Sequence, residues 1–476
     1  MLFNSFSFVI FLPIVFLLYW FVAKNNLKNQ NFLLLVASYF FYACWDYRFL
    51  ALLIFSTFLD YFTGIKIAES QNSKQKKSWL LISVLINLGF LGVFKYYDFF
   101  VTSFADALGI LGLAIHPTLL HVILPVGISF YTFHGLSYVI DIYNNRITAE
   151  KNYVDYALFV SFFPLLVAGP IERATHLLPQ FKKERTFNYT QAVNGLRQIL
   201  WGFFKKVVVA DNCAIYVNAV FSDYHHASTI QLISSPILFA FQIYGDFSGY
   251  SDIASGTAKL FGIELLRNFN YPFFSRSVSE FWRRWHISLS SWLRDYVYIP
   301  LGGSRVGRYS QVRNIFIIFI ISGIWHGANW TYVATLVLHA FYIMPSVLLV
   351  TNRNSLELVA KNRVFPSIKE ISGMVITLLL FSFSLIFFRS PNMQESFSYI
   401  GMFGSSFSHV DQLSATYPVI SILMMLSFEW FNRANDIPFE NFTSVNIKRM
   451  VYVVVLLLIF FMGAFVNPRS FIYFQF

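Results

Sequence analysis

Apolar runs long enough to cross a lipid bilayer recur along almost the whole of this 476-residue chain. Only 12% of its residues are charged against 56% hydrophobic, and it carries 57 Phe, 27 Tyr and 10 Trp. A soluble domain is about 25% charged. So few solvated groups cannot cover that much apolar surface in water, whereas lipid removes the need to cover it. Candidate spans of helical length, roughly 20 residues, fall near 6–23, 31–46, 49–65, 79–97, 119–140, 197–220, 230–247, 313–327, 330–350, 371–388, 416–431 and 449–466. The chain therefore reads as all-α: one polytopic transmembrane domain, 1–476, with about twelve spans. The apolar segment 153–170 is broken by Phe163-Pro164 and Gly169-Pro170 and reads as re-entrant.

Basic residues set the orientation. The loops holding Lys24 and Lys28, Lys66 to Lys77, Arg146 and Lys151, and Arg173 to Arg185 are basic. Residues 1–5, 98–121, 221–230 and 390–416 hold no Lys or Arg. The alternation places both termini outside the cytoplasm, with an even number of crossings, in a cell (inner) membrane. A net charge of +11 arises from these cytoplasmic loops and excludes nucleic acid as a partner; lipid headgroups are the surface they meet. Residues 6–23 lack a basic leader and a cleavage site, so they read as an uncleaved span. Cys44 and Cys213 form no spacing motif.

Segment 259–313 departs from the rest, with nine Lys or Arg against Glu264, Glu280 and Asp295. In EFWRRWHISLSSWLRDYVYIPLGG, from Glu280, the residues Phe281, Trp285, Leu289, Trp292 and Tyr296 recur at helical spacing. Such a helix lies at the cytoplasmic boundary or folds into the protein interior. A plain surface anchor leaves His286 unexplained. In GIWHGANW, 323–330, two glycines flank His326 at the end of an apolar run. A histidine at membrane depth is costly unless it meets a cavity or a partner, so function is its default reading, and its neighbours Asn329 and Trp330 fit a shaped polar pocket and equally a helix end. In QIYGDFSGYSD, 242–252, Asp246 and Asp252 shape a pocket or pair with arginines; no zinc or calcium ligand cluster is present.

A histidine pair could take the proton of a hydroxyl attacking a thioester. There is no G-x-S-x-G elbow and no cysteine near either histidine, which favours direct transfer over an acyl-enzyme. Arg283, Arg284 and Arg294 suit the phosphates of a donor such as acetyl-CoA or a carrier's phosphopantetheine, or of lipid headgroups. The same pair could equally serve proton relay in a transporter or flippase, or sit in a scaffold subunit. His134 and His339 are weaker candidates. Glu172 and Arg173 either pair or line the donor entrance. His116, His121, His225, His226 and His409 read as solvated outer residues.

The block FWRRWHISLSSWLRDYVYIPLGG (281–303) followed by GIWHGANW resembles the signature of the membrane-bound O-acyltransferase family. Segments 124–143, 159–173, 242–252 and the ending FIYFQF resemble its bacterial branch of alginate O-acetylation and teichoic-acid D-alanylation membrane proteins. The resemblance implies helices around a central tunnel, with His326 catalytic and His286 the second polar position. Trp285, Trp325, Asn329, the three arginines and Asp246 would line the substrate sites. It also implies an acyl thioester as co-substrate rather than a bound cofactor. The acceptor would be a hydroxyl on an extracytoplasmic polysaccharide, reached with a partner of the SGNH-hydrolase type. Gly245 departs from the aromatic residue expected there and is expected to reshape the pocket wall.

Overall fold

The computed structural model describes every residue except 25, 168, 352–356, 405–413, 441, 443, 466–470 and 473–476. His409 and the last four residues of FIYFQF thus lie outside the described residues. All the regular secondary structure among the described residues is helical, with no strand. Among the described residues five helices are long and apolar enough to cross a membrane by length and composition, and Phe6–Val22 is a shorter apolar one.

The chain divides into two compact units, one of residues 1–193 with 257–266 and one of 194–256 with 267–476. The first carries α1 (Phe6–Leu17), α2 (Leu27–Ala43), α3 (Tyr47–Glu69), α4 (Ser73–Leu91), α5 (Tyr97–Ile110), α6 (Ile128–Tyr143), α7 (Tyr153–Ser161) and α8 (Ala174–Phe181). A buried carboxylate organises α3, α4 and α6. Asp60 accepts from Ser83 Oγ at 2.6 Å and Asn87 Nδ2 at 2.8 Å. Its other oxygen is so close to Gly135 that a Cβ there would sit 1.9 Å away.

Two expectations fail in this unit. The span at 119–140 is helical only from Ile128, because Pro125 removes a donor and Gly127 turns left-handed at φ 76°. Gly127 also abuts the Leu166 carbonyl, leaving no room for a side chain. Conversely, the span near 79–97 runs past its expected end, since a π-helical turn (Gly92–Tyr96) carries α4 on into α5. The segment 153–170 does stop early: α7 ends at Ser161, before Pro164.

α9 (Tyr189–Phe203) and α11 (Thr229–Leu260) each run from one unit into the other. The second unit continues with α10 (Asp211–Ser222), α12 (Val278–Arg284), α13 (Ile287–Leu293), α14 (Arg308–His326), α15 (Trp330–Leu348) and α16 (Ile368–Arg389). It closes with α17 (Met393–Gly401), α18 (Thr416–Asn432) and α19 (Val445–Met462). A π-helical segment, Phe204–Ala210, joins α9 to α10 and packs on α11 through glycine. A Cβ on Gly249 would meet the Gly202 carbonyl at 2.7 Å, and one on Gly245 the Lys205 carbonyl at 2.8 Å. Gly245 is therefore a residue of close helix packing. An aromatic side chain has no room here, and the expectation that this position shapes a pocket wall is corrected.

The segment from Glu280 is not one amphipathic helix. α12 ends at Arg284, α13 begins at Ile287, and His286 between them is left-handed at φ 44°. Two backbone bonds brace the break: Asn270 N–H to the Arg284 carbonyl and Ile287 N–H to the Asn268 carbonyl, both 2.9 Å. The apolar stripe Phe281, Trp285, Leu289 and Trp292 is buried against protein. Of the two placements open to it, the interior one holds.

Candidate active site

His326 closes α14, and Gly327 extends the chain away from it before Asn329 caps α15 by accepting from Thr331 N–H at 3.0 Å. Gly323 permits that close pairing of α14 with α15, since a Cβ would meet the Val333 backbone at 2.7 Å. His326 is buried, as is His286. Trp325 packs against both, 5.7 Å from the His286 ring and 5.0 Å from the His326 ring, edge-on to each. Phe388 covers the far side of His326 at 5.6 Å, and Phe247 covers His286 at 4.7 Å. Sequence positions 40 apart are thus folded into one aromatic chamber.

The chemistry of His286 follows from a residue that no sequence motif marks. Asn268 Oδ1 lies 3.2 Å from His286 Nδ1 and 2.7 Å from Ser288 Oγ, while Asn268 Nδ2 donates to Ser251 Oγ at 3.1 Å. An amide oxygen can only accept, so Nδ1 carries the ring proton and Nε2 presents a lone pair. Among the described residues no protein group donates to that buried Nε2. Burial, and then the positive charge His326 would carry, hold this imidazole well below the ordinary histidine range. His286 is a neutral acceptor, and the two rings resist being charged together. The left-handed backbone at His286 is the kind of strain that persists where surrounding bonds over-determine it. The legible sign was an asparagine in the stretch NFNY, 268–271, eighteen residues before the histidine.

The other candidates separate. Trp285 is stacked on Phe281 at 5.2 Å and packs against Phe269 and Phe381, each at 5.1 Å, within an aromatic layer. Arg284 pairs with Glu280 at 2.8 Å and donates to the Asn270 carbonyl at 3.3 Å, bracing the α12–α13 break. Arg283 is exposed on the same helix, and Arg294 pairs with Asp295 at 2.8 Å on an exposed surface. Asp246 faces a cavity of about 630 Å³, whose lining includes Lys206, Asp211, Asn218, Asn329, Tyr332, Phe388 and Arg389. There Lys206 Nζ bridges Asp246 at 2.6 Å and Asp211 at 3.0 Å, and Asp246 Oδ2 accepts from Ile472 N–H at 2.6 Å. Phe388 belongs both to this lining and to the wall of His326.

The remaining histidines and Glu172 serve as braces. In the first unit, His134 Nε2 accepts from Glu172 N–H at 3.1 Å. Glu172 in turn accepts from Leu266 N–H at 2.6 Å and meets His176 Nδ1 at 2.8 Å. In the second, His339 Nε2 meets Ser384 Oγ at 2.9 Å across α15 and α16. His116, His121, His225 and His226 are exposed as expected. Among the described residues no group of three or more His, Cys, Asp or Glu side chains could hold a metal ion.

Fold and site together define a class: a multi-pass helical membrane protein that buries two histidines, one of them a fixed neutral acceptor, in an aromatic chamber beside a polar cavity. The model of the membrane-bound O-acyltransferase family matches residues 144–388. The probable alginate O-acetylase AlgI of Pseudomonas syringae pv. tomato is 39% identical over 414 residues, covering 86% of this chain and 76% of that protein. The peptidoglycan O-acetyltransferase of Helicobacter pylori is 36% identical over 470 residues, covering 92% and 84%. The teichoic acid D-alanyltransferase of Bacillus subtilis is more distant, 29% identical over 228 residues, covering 45% and 57%. The chain belongs to the membrane-bound O-acyltransferase family and is an O-acyltransferase.

Proposed function

We propose that this enzyme moves an acetyl group from a thioester on the cytoplasmic side towards hydroxyls of an extracytoplasmic polysaccharide, directly or through a partner protein. The observation that carries the reading is the histidine pair itself, buried about Trp325 in a chain whose relatives carry the names of O-acetylating enzymes. His326 takes the hydroxyl proton as the oxygen attacks the thioester carbonyl. The C–S bond breaks, and the proton passes to the departing thiolate. His286, with its proton committed to Asn268, offers a lone pair and steadies the imidazolium forming at His326. The geometry thus supports His286 as an acceptor more than as a donor to an oxyanion.

Acetyl-CoA, or another acyl thioester, is the donor in this reading, entering past Arg283 and Arg294. Arg284 holds the break that presents His286. The termini face outward from the inner membrane, where an SGNH-type partner completes delivery to the polymer. Replacing His326 by Ala abolishes transfer of labelled acetyl from thioester to glycan while leaving insertion and melting temperature unchanged. Normal acetylation of the surface polysaccharide by that variant, measured by mass spectrometry, sinks the assignment.

A further inference from the structure

A strained turn leads into α16. Ala360 and Asn362 are both left-handed, at φ 49° and 61°. Asparagine tolerates that region, but alanine is held there only by its surroundings. Arg433, at the end of α18, supplies much of the hold. It donates to the carbonyls of Val359 at 3.2 Å, Trp430 at 2.7 Å, Ala360 at 3.3 Å and Arg363 at 2.8 Å. Trp430 Nε1 donates to the Val364 carbonyl at 2.9 Å. Glu370, in the first turn of α16, accepts from Ala360 N–H at 3.1 Å and pairs with Arg363 at 3.0 Å.

What this turn presents outward is cationic and apolar at once. Lys361, Arg363 and Lys369 are exposed, as are Val364, Phe365 at 79% and Ile368 at 86%. α16 is apolar enough to span a membrane, so these side chains stand where such a helix leaves the bilayer. Basic residues put that end on the cytoplasmic side. Lys361, Arg363, Lys369 and Arg433 outnumber Glu357 and Glu370 by two, and Arg276 is matched by Glu280 at 3.0 Å. The turn is also tied to the histidine break. Arg276 donates to the Glu357 carbonyl at 2.6 Å and pairs with Glu370 at 3.5 Å. Glu280 carries the pairing on to Arg284, which braces the break between α12 and α13.

We propose that this turn binds an anionic phospholipid of the cytoplasmic leaflet, with Lys361, Arg363 and Lys369 on the headgroup phosphate and Phe365 and Ile368 among the acyl chains. A soluble phosphate would satisfy the cations alone, whereas a lipid supplies a partner for both kinds of side chain. A lipid seated here holds the turn, and through Arg276 and Glu280 it steadies α12.

The test uses the full chain in nanodiscs of phosphatidylcholine, with or without phosphatidylglycerol of the same acyl chains, and retained lipid is counted by native mass spectrometry. Each Lys or Arg near an anionic surface is worth about fivefold in affinity. Glu357 and Glu370 offset part of that, so phosphatidylglycerol is retained about tenfold over phosphatidylcholine, and its addition raises the melting temperature. Lys361→Gln with Lys369→Gln leaves the Arg363–Glu370 pair in place and loses most of both effects. Phe365→Asp, which keeps the cations and removes the apolar tip, weakens retention as well. Replacing Lys74, Lys76 and Lys77 by Gln, at the start of α4, changes neither effect. Equal retention of the two lipids, a preference unmoved by the turn variants, a preference lost equally in the α4 variant, or displacement of the lipid by excess inorganic phosphate each overturns the proposal. None of these readouts depends on acyl transfer.

Discussion

Asn268 offers the sharpest test of how the histidine pair is wired, because one substitution changes charge with almost no change in shape. In Asn268→Asp the acceptor oxygen 3.2 Å from His286 Nδ1 becomes a carboxylate oxygen. An opposite charge at such distance favours the protonated imidazole by about 1–3 pKa units, and each unit is worth about 1.36 kcal/mol. His286 starts from well below the usual range because of its burial, so the shift brings its titration up towards neutrality. Protonation removes the Nε2 lone pair and places a positive charge beside His326, which then resists taking the substrate proton. The expected result is a pH profile of kcat/KM whose acidic limb moves up, with activity retained on the alkaline side. Asn268→Leu behaves differently. It removes three side-chain hydrogen bonds, to His286, Ser288 and Ser251, at about 0.5–1.5 kcal/mol net apiece and more where a buried partner is stranded. It lowers both melting temperature and rate, and its acidic limb does not move up. The assay is thioester-dependent acetylation by purified enzyme in nanodiscs across pH 5.5 to 9. A profile for Asn268→Asp that superimposes on the wild type would refute the wiring of His286 as a neutral acceptor.

Three further outcomes follow from the packing. Lys206→Met strands Asp211 and Asp246 without a counter-charge and costs about 3–5 kcal/mol, seen as a loss of thermal stability in detergent; an unchanged melting temperature would show the carboxylates hydrated. Gly245→Phe drives a ring into the Lys205 carbonyl and Ala210 and destabilises by at least the roughly 1–3 kcal/mol of an overpacked core, whereas a stable, active variant would restore a pocket-wall role. The hydrogen bond to Glu172 raises the pKa of His176, against a smaller desolvation effect. That pair stabilises fully below about pH 6.5, the unfolded histidine value, and fades as pH rises through the higher folded value. The melting-temperature difference between wild type and His176→Gln therefore shrinks from pH 5.5 to 8.5, and a flat difference would contradict the ion pair.

Periodicity and charge already determined much of this molecule. Long uncharged apolar runs leave a chain no stable alternative to helices in lipid, so the helices at α2 to α4, α14 to α16 and α19 stand near their expected positions. The burial of His326 was legible too, because an imidazole closing the run NIFIIFIIS between two glycines needs a packed environment, and it finds one against Trp325 and Phe388. What the sequence could not disclose depended on partners distant along the chain. The stripe from Phe281 to Tyr296 has helical spacing whether or not the backbone breaks. Only the bonds from Asn268 and Asn270 impose the left-handed turn at His286 and choose its tautomer. Asp246 looked like a carboxylate awaiting an arginine, yet it meets Lys206 because a π-helical segment packs against α11 at Gly245 and Gly249. Hydrophobic pattern is a local property and survives in one dimension. Hydrogen-bond direction, charge pairing and the emptiness of a cavity are relations between segments, and only the tertiary fold brings those segments within reach.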